Sequence, residues 1–196
     1  MADFIAAFKK TMGFEGDYSN DSADMGGETY MGISRVHHPG WVGWKLIDAK
    51  KKTPGFPGAL NADGKIRVAA QQFYKNTFWD PYQGDQFSDQ DLAEELFDTC
   101  VNMGIKTGVK FLQRSLNLLN REGTVYPDIA VDGAFGKGSL AVLKVSLSRD
   151  NGPLILTLMN ILQGMNYVEI MEKYPVQEKF ARGWLSRVEL KKKSNA

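Results

Sequence analysis

The first apolar positions of the chain, Phe4, Ile5, Phe8 and Met12, fall on one face of a helix, with Asp3 placed to cap its start and Gly13 to stop it. Helical periodicity then disappears. From Glu15 to Ile33 the chain is rich in Gly, Asp, Ser and Asn and reads as an irregular loop or a short hairpin turning at Gly26-Gly27. Helical character returns over residues 41–52 and is closed by the loop Pro54-Gly55-Phe56-Pro57-Gly58. Ile66, Ala69, Ala70, Phe73 and Phe78 predict a helix over 66–78, broken by Trp79-Asp80-Pro81. Leu92, Leu96, Cys100 and Met103 form one stripe over 90–103, ended by Gly104; Val109, Leu112, Leu116 and Leu119 form another over 106–120. After a loop holding Gly123, Pro127, Asp132-Gly133 and Gly136, residues 139–147, 154–174 and 176–190 read as three more helices.

The pattern is mainly α, with one small β element near residues 16–33. The break at Gly104 divides the chain into 1–103 and a helical region 104–196 packed on it. No repeat or long linker interrupts this order, and Lys191-Lys192-Lys193 reads as a solvated end.

Composition narrows the function classes. The 196 residues are 43% hydrophobic and 24% charged, as in a chain that buries a real core. Twenty-four Lys and Arg against 23 Asp and Glu give a net charge of +1, which removes the strong basic signal of a dedicated nucleic-acid binder and leaves a peptide, sugar or small-molecule partner. Cys100 is the only cysteine, so there is no intrachain disulfide and no Cys-rich zinc site. It lies on an apolar helix stripe, where a buried thiol is inert. His37 and His38, before Pro39, lack further ligands for a metal. The longest greasy stretch, Pro153 to Leu162, falls short of the roughly 20 residues a membrane span needs, so stable membrane insertion is not expected. Met1-Ala2-Asp3 opens no basic and apolar signal peptide. Synthesis in the cytoplasm is the expectation.

The local charge is less even than the total. Between Thr11 and Ser34 stand five acids, Glu15, Asp17, Asp21, Asp24 and Glu28, and no Lys or Arg. Such a loop is spread in solvent, binds a cation, or holds a carboxyl with a raised pKa, which is what a general acid requires. Glu15 directly follows the first helix, whose C-terminal dipole also favours its protonated form, and Phe14 and Tyr18 flank it. Asp24, nine residues on, could face it across a cleft, as the two carboxyls of a glycosidase do. A calcium loop is the competing reading: Asp17, Ser19, Asp21 and Glu28 take positions 1, 3, 5 and 12 of an EF-hand, but position 6, which must be Gly, is Ser22.

Glu15-Gly16-Asp17-Tyr18, Asn20-Asp21, Asp24, Gly26-Gly27, Thr29 and Gly32-Ile33-Ser34 resemble, in order and without gaps, the signature of glycoside hydrolase family 108, lysozyme-like N-acetylmuramidases of which some are called secretion activators. The resemblance implies a lysozyme-like fold with the β-hairpin or loop near the active site, and Glu15 as the catalytic acid. Asp24, with Asp21 as the alternative, would activate water or balance oxocarbenium charge. Thr29 would hold water or an N-acetyl group. No metal or organic cofactor is needed for this chemistry. Asp17 stands where the family usually has Gly, and Ser22 where Pro is common; these departures keep open a catalytically inactive wall-binding or secretion-assisting module.

Phe97-Asp98-Thr99-Cys100-Val101-Asn102-Met103-Gly104 resembles the family's helix bearing Phe-Asp-x-x-Val-Asn, and Leu112-Gln113-Arg114-Ser115-Leu116-Asn117, Val131-Asp132-Gly133-Ala134-Phe135-Gly136 and the stretch 180–187 are similar to its C-terminal predicted peptidoglycan-binding region. Leu-Gln-x-x-Leu and Asp-Gly-x-x-Gly can equally be a helix, a tight turn and a helix cap with no sugar involved. The partner implied is the peptidoglycan glycan strand, cut at the β-1,4 bond after N-acetylmuramic acid, on the cell wall or in the periplasm after release by a holin, an exporter or lysis. Aromatic side chains suit a glycan groove. Tyr18, Tyr30 and Asp21 in the acidic stretch are the expected substrate contacts, while Trp41, Trp44 and Trp79 read as packing residues and Tyr82 is a further candidate.

Overall fold

The computed structural model describes residues 1–13, 18–20, 27–60 and 63–189. Among them are eight α-helices and one three-stranded antiparallel sheet. Helix α1 spans Phe4–Met12; the Asp3 carboxylate accepts from the Ile5 N–H and caps it, and Phe4, Ala7, Phe8 and Met12 are buried. Burial of each large apolar side chain of this face is worth about 2 kcal/mol. The chain leaves the helix at Gly13.

Strands β1 (Tyr18–Asn20), β2 (Glu28–Tyr30) and β3 (Ile33–Ser34) pair in chain order, with Tyr18 opposite Tyr30, Ser19 opposite Thr29 and Thr29 opposite Ser34. The short-hairpin alternative for residues 15–33 is the form taken by the described part of this stretch. Met31 and Gly32 link β2 to β3, and both have positive φ. That is the two-residue turn whose twist matches its strands, and Gly32 meets its demand without strain.

Helices α2 (Gly43–Lys50), α3 (Gly64–Tyr74), α4 (Gln90–Met103), α5 (Ile105–Leu118), α6 (Lys137–Leu147) and α7 (Gly152–Lys173) follow the predicted stripes, with ends shifted by a few residues. α3 passes into a π-helical turn, Lys75–Trp79, before the break at Pro81. The predicted helix over 176–190 is corrected: Pro175–Phe180 is 3-10 and only the short α8, Ala181–Leu185, is α-helical. These two pieces meet α7 through Trp184, stacked on Tyr167, but bury no residue fully, which is too little burial to support a longer helix.

α1 and α4 run in the same direction. The Asp3 N–H donates to the Gln90 side chain, Lys10 pairs with Glu94 at 3.3 Å, and the Thr11 hydroxyl bonds Asp98. Phe4 lies edge-on to Trp79 and Phe97, joining α1, α4 and the π-turn in one aromatic cluster. Gly104, at φ +85°, turns the chain between α4 and α5 with no intervening loop. Gly108 then lets α5 approach α4 so closely that a Cβ there would stand 2.7 Å from Cys100 Sγ. A single buried core runs from Phe4 through Leu96 and Leu112 to Met159, so both parts of the chain share it.

α7 forms where the 154–174 helix is expected, but the expectation that its apolar stretch is too short for a membrane span does not hold by length and composition. At a mean hydropathy of 1.2 α7 is the one helix among the described residues long and apolar enough to cross a membrane by length and composition. In the fold it buries Ile155, Met159, Leu162 and Tyr167 and packs on α4 and α5. Asn160 and Gln163 fit into it by donating to the Leu156 carbonyl and to the Thr99 hydroxyl.

Candidate active site

The described residues of the acidic stretch form the three-stranded sheet. Glu15, Asp24 and Asp21, together with Asp17, lie outside the described residues; Thr29, Tyr18, Tyr30 and Glu28 lie inside. Thr29 sits in the middle of β2, half-buried, with Ser19 and Ser34 as its cross-strand neighbours, so this face of the sheet carries three hydroxyls. The opposite face carries Glu28 and Tyr30.

Glu28 is not an uncompensated acid. Its carboxylate accepts from the Tyr18 hydroxyl at 3.0 Å and from Arg35 at 2.9 Å, and Lys51 stands 2.7 Å away. Arg35 lies one residue beyond the base-free window and Lys51 lies on the far side of α2, so only the fold brings them together. Burial alone would raise the Glu28 pKa, but bonds from Lys51, Arg35 and Tyr18 outweigh it and hold the carboxyl below its ordinary value. The same engagement removes Glu28 from the position-12 role of a calcium loop. Arg35 also makes a two-pronged pair with Asp48 of α2, at 2.7 and 2.6 Å, and lies over the Trp44 ring. Its bonds to Asp48 and Glu28 raise the guanidinium pKa, and the Asp48 carboxyl is held far below the usual carboxylate range.

The expected glycan contacts separate. Tyr18 is half-buried, edge-on to Phe56 at 4.9 Å, so Phe56 joins it as an aromatic wall that the sequence reading missed. Tyr30 is 2% exposed and stacked on Trp41, so its ring belongs to the core instead of an open sugar platform. Trp41, Trp44, Trp79 and Tyr82 are buried as well. Cys100 is fully buried, and burial pushes its thiol pKa up. Among the described residues no group of three or more His, Cys, Asp or Glu is arranged to hold a metal.

A second group of acids was not singled out from sequence. Glu94, Glu95 and Asp98 of α4 line a cavity of about 250 Å³ with Lys10, Thr11 and, from the end of the chain, Arg187. Burial, then the nearby Asp98 charge, pushes the Glu95 carboxyl up to about 7, although Asn160 and Thr99 hydrogen-bond to it. Asp98 is raised too, because burial outweighs its 2.9 Å pair with Arg187. The sequence signal was two adjacent acids followed by a third one turn later on the helix that carries the Leu92, Leu96 and Cys100 stripe.

The motifs of the second part are consumed by the fold. Gln113, 1% exposed, donates to Asp132 and to the Ala134 carbonyl and accepts from the Gly133 N–H. Asn117 exchanges two hydrogen bonds with Ile129, and Asn120 donates to Asp128. Gly133, at φ +78°, lies against the Lys106 backbone, where a Cβ would stand 2.6 Å from the carbonyl oxygen. Leu-Gln-x-x-Leu and Asp-Gly thus act as a helix and the loop it secures.

Residues 8–104 match the family model Glycosyl hydrolase 108, and residues 107–189 match the model Predicted Peptidoglycan domain. A comparison with curated proteins finds no match. The solved structure described as Structure of Brucella abortus SagA superposes with a TM-score of 0.59 at 20% identity, over 94% of this chain and 88% of that one, a likeness of fold. The chain belongs to the glycosyl hydrolase 108 family, with a predicted peptidoglycan domain as its second part.

Proposed function

We propose that this glycoside hydrolase is an N-acetylmuramidase, cutting the β-1,4 bond between N-acetylmuramic acid and N-acetylglucosamine in peptidoglycan. Glu15 protonates the glycosidic oxygen. Asp24, or Asp21 in its place, activates water or balances the oxocarbenium charge, and Thr29 holds water or an N-acetyl group. The observation that carries this reading is the family match over residues 8–104, which takes in the whole acidic stretch and the strand bearing Thr29. Glu28, neutralised by Arg35 and Lys51, is set apart from the proton-transfer role. Because the substrate lies outside the cytoplasm, the protein reaches it through a holin, an exporter or lysis.

Purified protein incubated with peptidoglycan should release new reducing ends, and reduction of the products should mark N-acetylmuramic acid as the new terminus. Glu15→Gln should abolish the release. Labelled N-acetylglucosamine termini would refute the bond assignment, and wall binding without cleavage by the wild type would assign the inactive module instead.

A further inference from the structure

The near-zero net charge hides a division along the chain. Residues 1–104 carry ten Lys and Arg against fifteen Asp and Glu, while residues 105–196 carry fourteen against eight. In the first part the bases are largely spent on neighbours: Lys10, Arg35, Lys50, Lys51 and Lys75 all form ion pairs. In the second part, among the described residues, the ion pair found is the one from Arg187 to Asp98.

The unspent bases are ordered on α5. Lys106, Lys110 and Arg114 follow one another at four-residue intervals, so they stand on one face of the helix about 6 Å apart. The other faces of α5 are occupied. Val109, Leu112 and Leu116 enter the core, and Gln113 and Asn117 hold the 129–134 loop. Lys106 and Arg114 are exposed and Lys110 half-buried. Among the described residues Lys110 and Arg114 have no hydrogen-bond or ion-pair partner, and Lys106 has only the field of Asp132. Arg121, past the helix end, and Lys137, at the start of α6, are exposed bases as well.

Three like charges in a row repel one another, and a row met within the fold only by Asp132 beside Lys106 is complementary to a polyanion outside it. Because the motif residues of this part are committed to the loop, its outer charges remain available to meet a polymer. We propose that the Lys106–Lys110–Arg114 face of α5 is the wall-docking surface of the second part, and that it recognises the carboxylates of the peptides attached to the glycan rather than the sugars. The proposal rests on the peptidoglycan reading above and assigns a chemistry to its binding half.

The test is co-sedimentation of the full chain with insoluble peptidoglycan over a salt series. The triple variant Lys106→Glu, Lys110→Glu, Arg114→Glu should bind about tenfold more weakly and lose most of the salt dependence. Converting the peptide carboxylates to amides should bring wild-type binding down to the level of the variant. A control of equal charge change in the first part, Lys45→Glu, Lys52→Glu, Lys65→Glu, should bind as the wild type does, and thermal midpoints identify any variant that fails to fold; Lys110→Gln with Arg114→Gln then serves in its place. Unchanged binding by the triple variant, equal loss in the control, or wild-type binding indifferent to amidation would each overturn the proposal. Glycan strands stripped of their peptides separate the two readings. Wild type and triple variant should cleave these equally, whereas charge-dependent wall binding with no cleavage of stripped glycan would leave the docking surface standing and remove the muramidase.

Discussion

Arg187 reaches Asp98 at 2.9 Å across 89 residues of sequence, tying the end of the second part to the central helix of the first. Both side chains are largely buried, 18% and 20% exposed, so neither charge is well solvated alone. Arg187→Gln should leave the Asp98 carboxylate facing Glu95 with only Lys10 and the Thr11 hydroxyl to offset it, at a cost of about 2 kcal/mol. Urea denaturation would measure this. Asp98→Asn in the Arg187→Gln background should recover part of the loss, because the unpaired charge is then gone.

Glu95 makes stability depend on pH in a definite direction. Its carboxyl is pushed from 4.5 up to about 7 in the folded chain, so the folded state binds the proton more tightly than the unfolded one. The stabilisation is complete below about pH 4.5 and is lost as the pH rises through about 7. Glu94, Asp98 and Glu189 face the same cavity and add like charge, while Lys10 and Arg187 oppose it. Up to roughly 3 kcal/mol should disappear between pH 4.5 and 8. Glu95→Gln, which keeps the shape and cannot ionise, should flatten this dependence and exceed the wild type in stability at pH 8. Parallel urea titrations at pH 5 and pH 8 decide it.

How much of this could be read in advance depends on how local the signal was. Asp3 capping Phe4–Met12 and the stripe of Leu92, Leu96 and Cys100 are short-range patterns, and the helices formed where they predict. Ion pairing is not short-range. Counting acids from Thr11 to Ser34 made Glu28 look unpaired, because Arg35 is the next residue on and Lys51 is brought in by α2. Tyr30 looked like an open aromatic because its neighbours are polar, whereas its stacking partner, Trp41, is eleven residues away. The 176–190 helix failed for the opposite reason: Val176, Phe180 and Leu185 have helical spacing but stay exposed, and Phe180 packs only on Trp184 of the same short segment. Glu15, Asp24 and Asp21 were reached through the family signature and its match over residues 8–104, not through any contact seen in the fold.

Gln113 gives a prediction that separates structure from wall binding. Gln113→Leu should leave the half-buried Gly133 N–H without its acceptor, while exposed Asp132 keeps its bond from the Ala134 N–H, costing about 1 kcal/mol. Hydrogen exchange at the Gly133 amide should accelerate sharply while amides of α4 keep their protection. Uniform acceleration across both would show that the loop and the core unfold as one unit, contrary to this expectation.

Arg35 gives the prediction closest to the chemistry. It joins β2, through Glu28, to α2, through Asp48, and so fixes the strand that carries Thr29. A lysine could keep the charge but not the fork that meets both Asp48 oxygens while a third bond goes to Glu28. Arg35→Lys should therefore lower the thermal midpoint by a few degrees, consistent with about 1 kcal/mol. If Thr29 positions water or an N-acetyl group, the same change should slow reducing-end release by about tenfold, through kcat more than through KM, since a misplacement near 1 Å is costly for a positioned group. Asp48→Asn should act in the same direction and add little in the Arg35→Lys background, because both changes open the same pair. Full activity in an Arg35→Lys protein whose stability has fallen would confine the network to folding and separate it from the placement of Thr29.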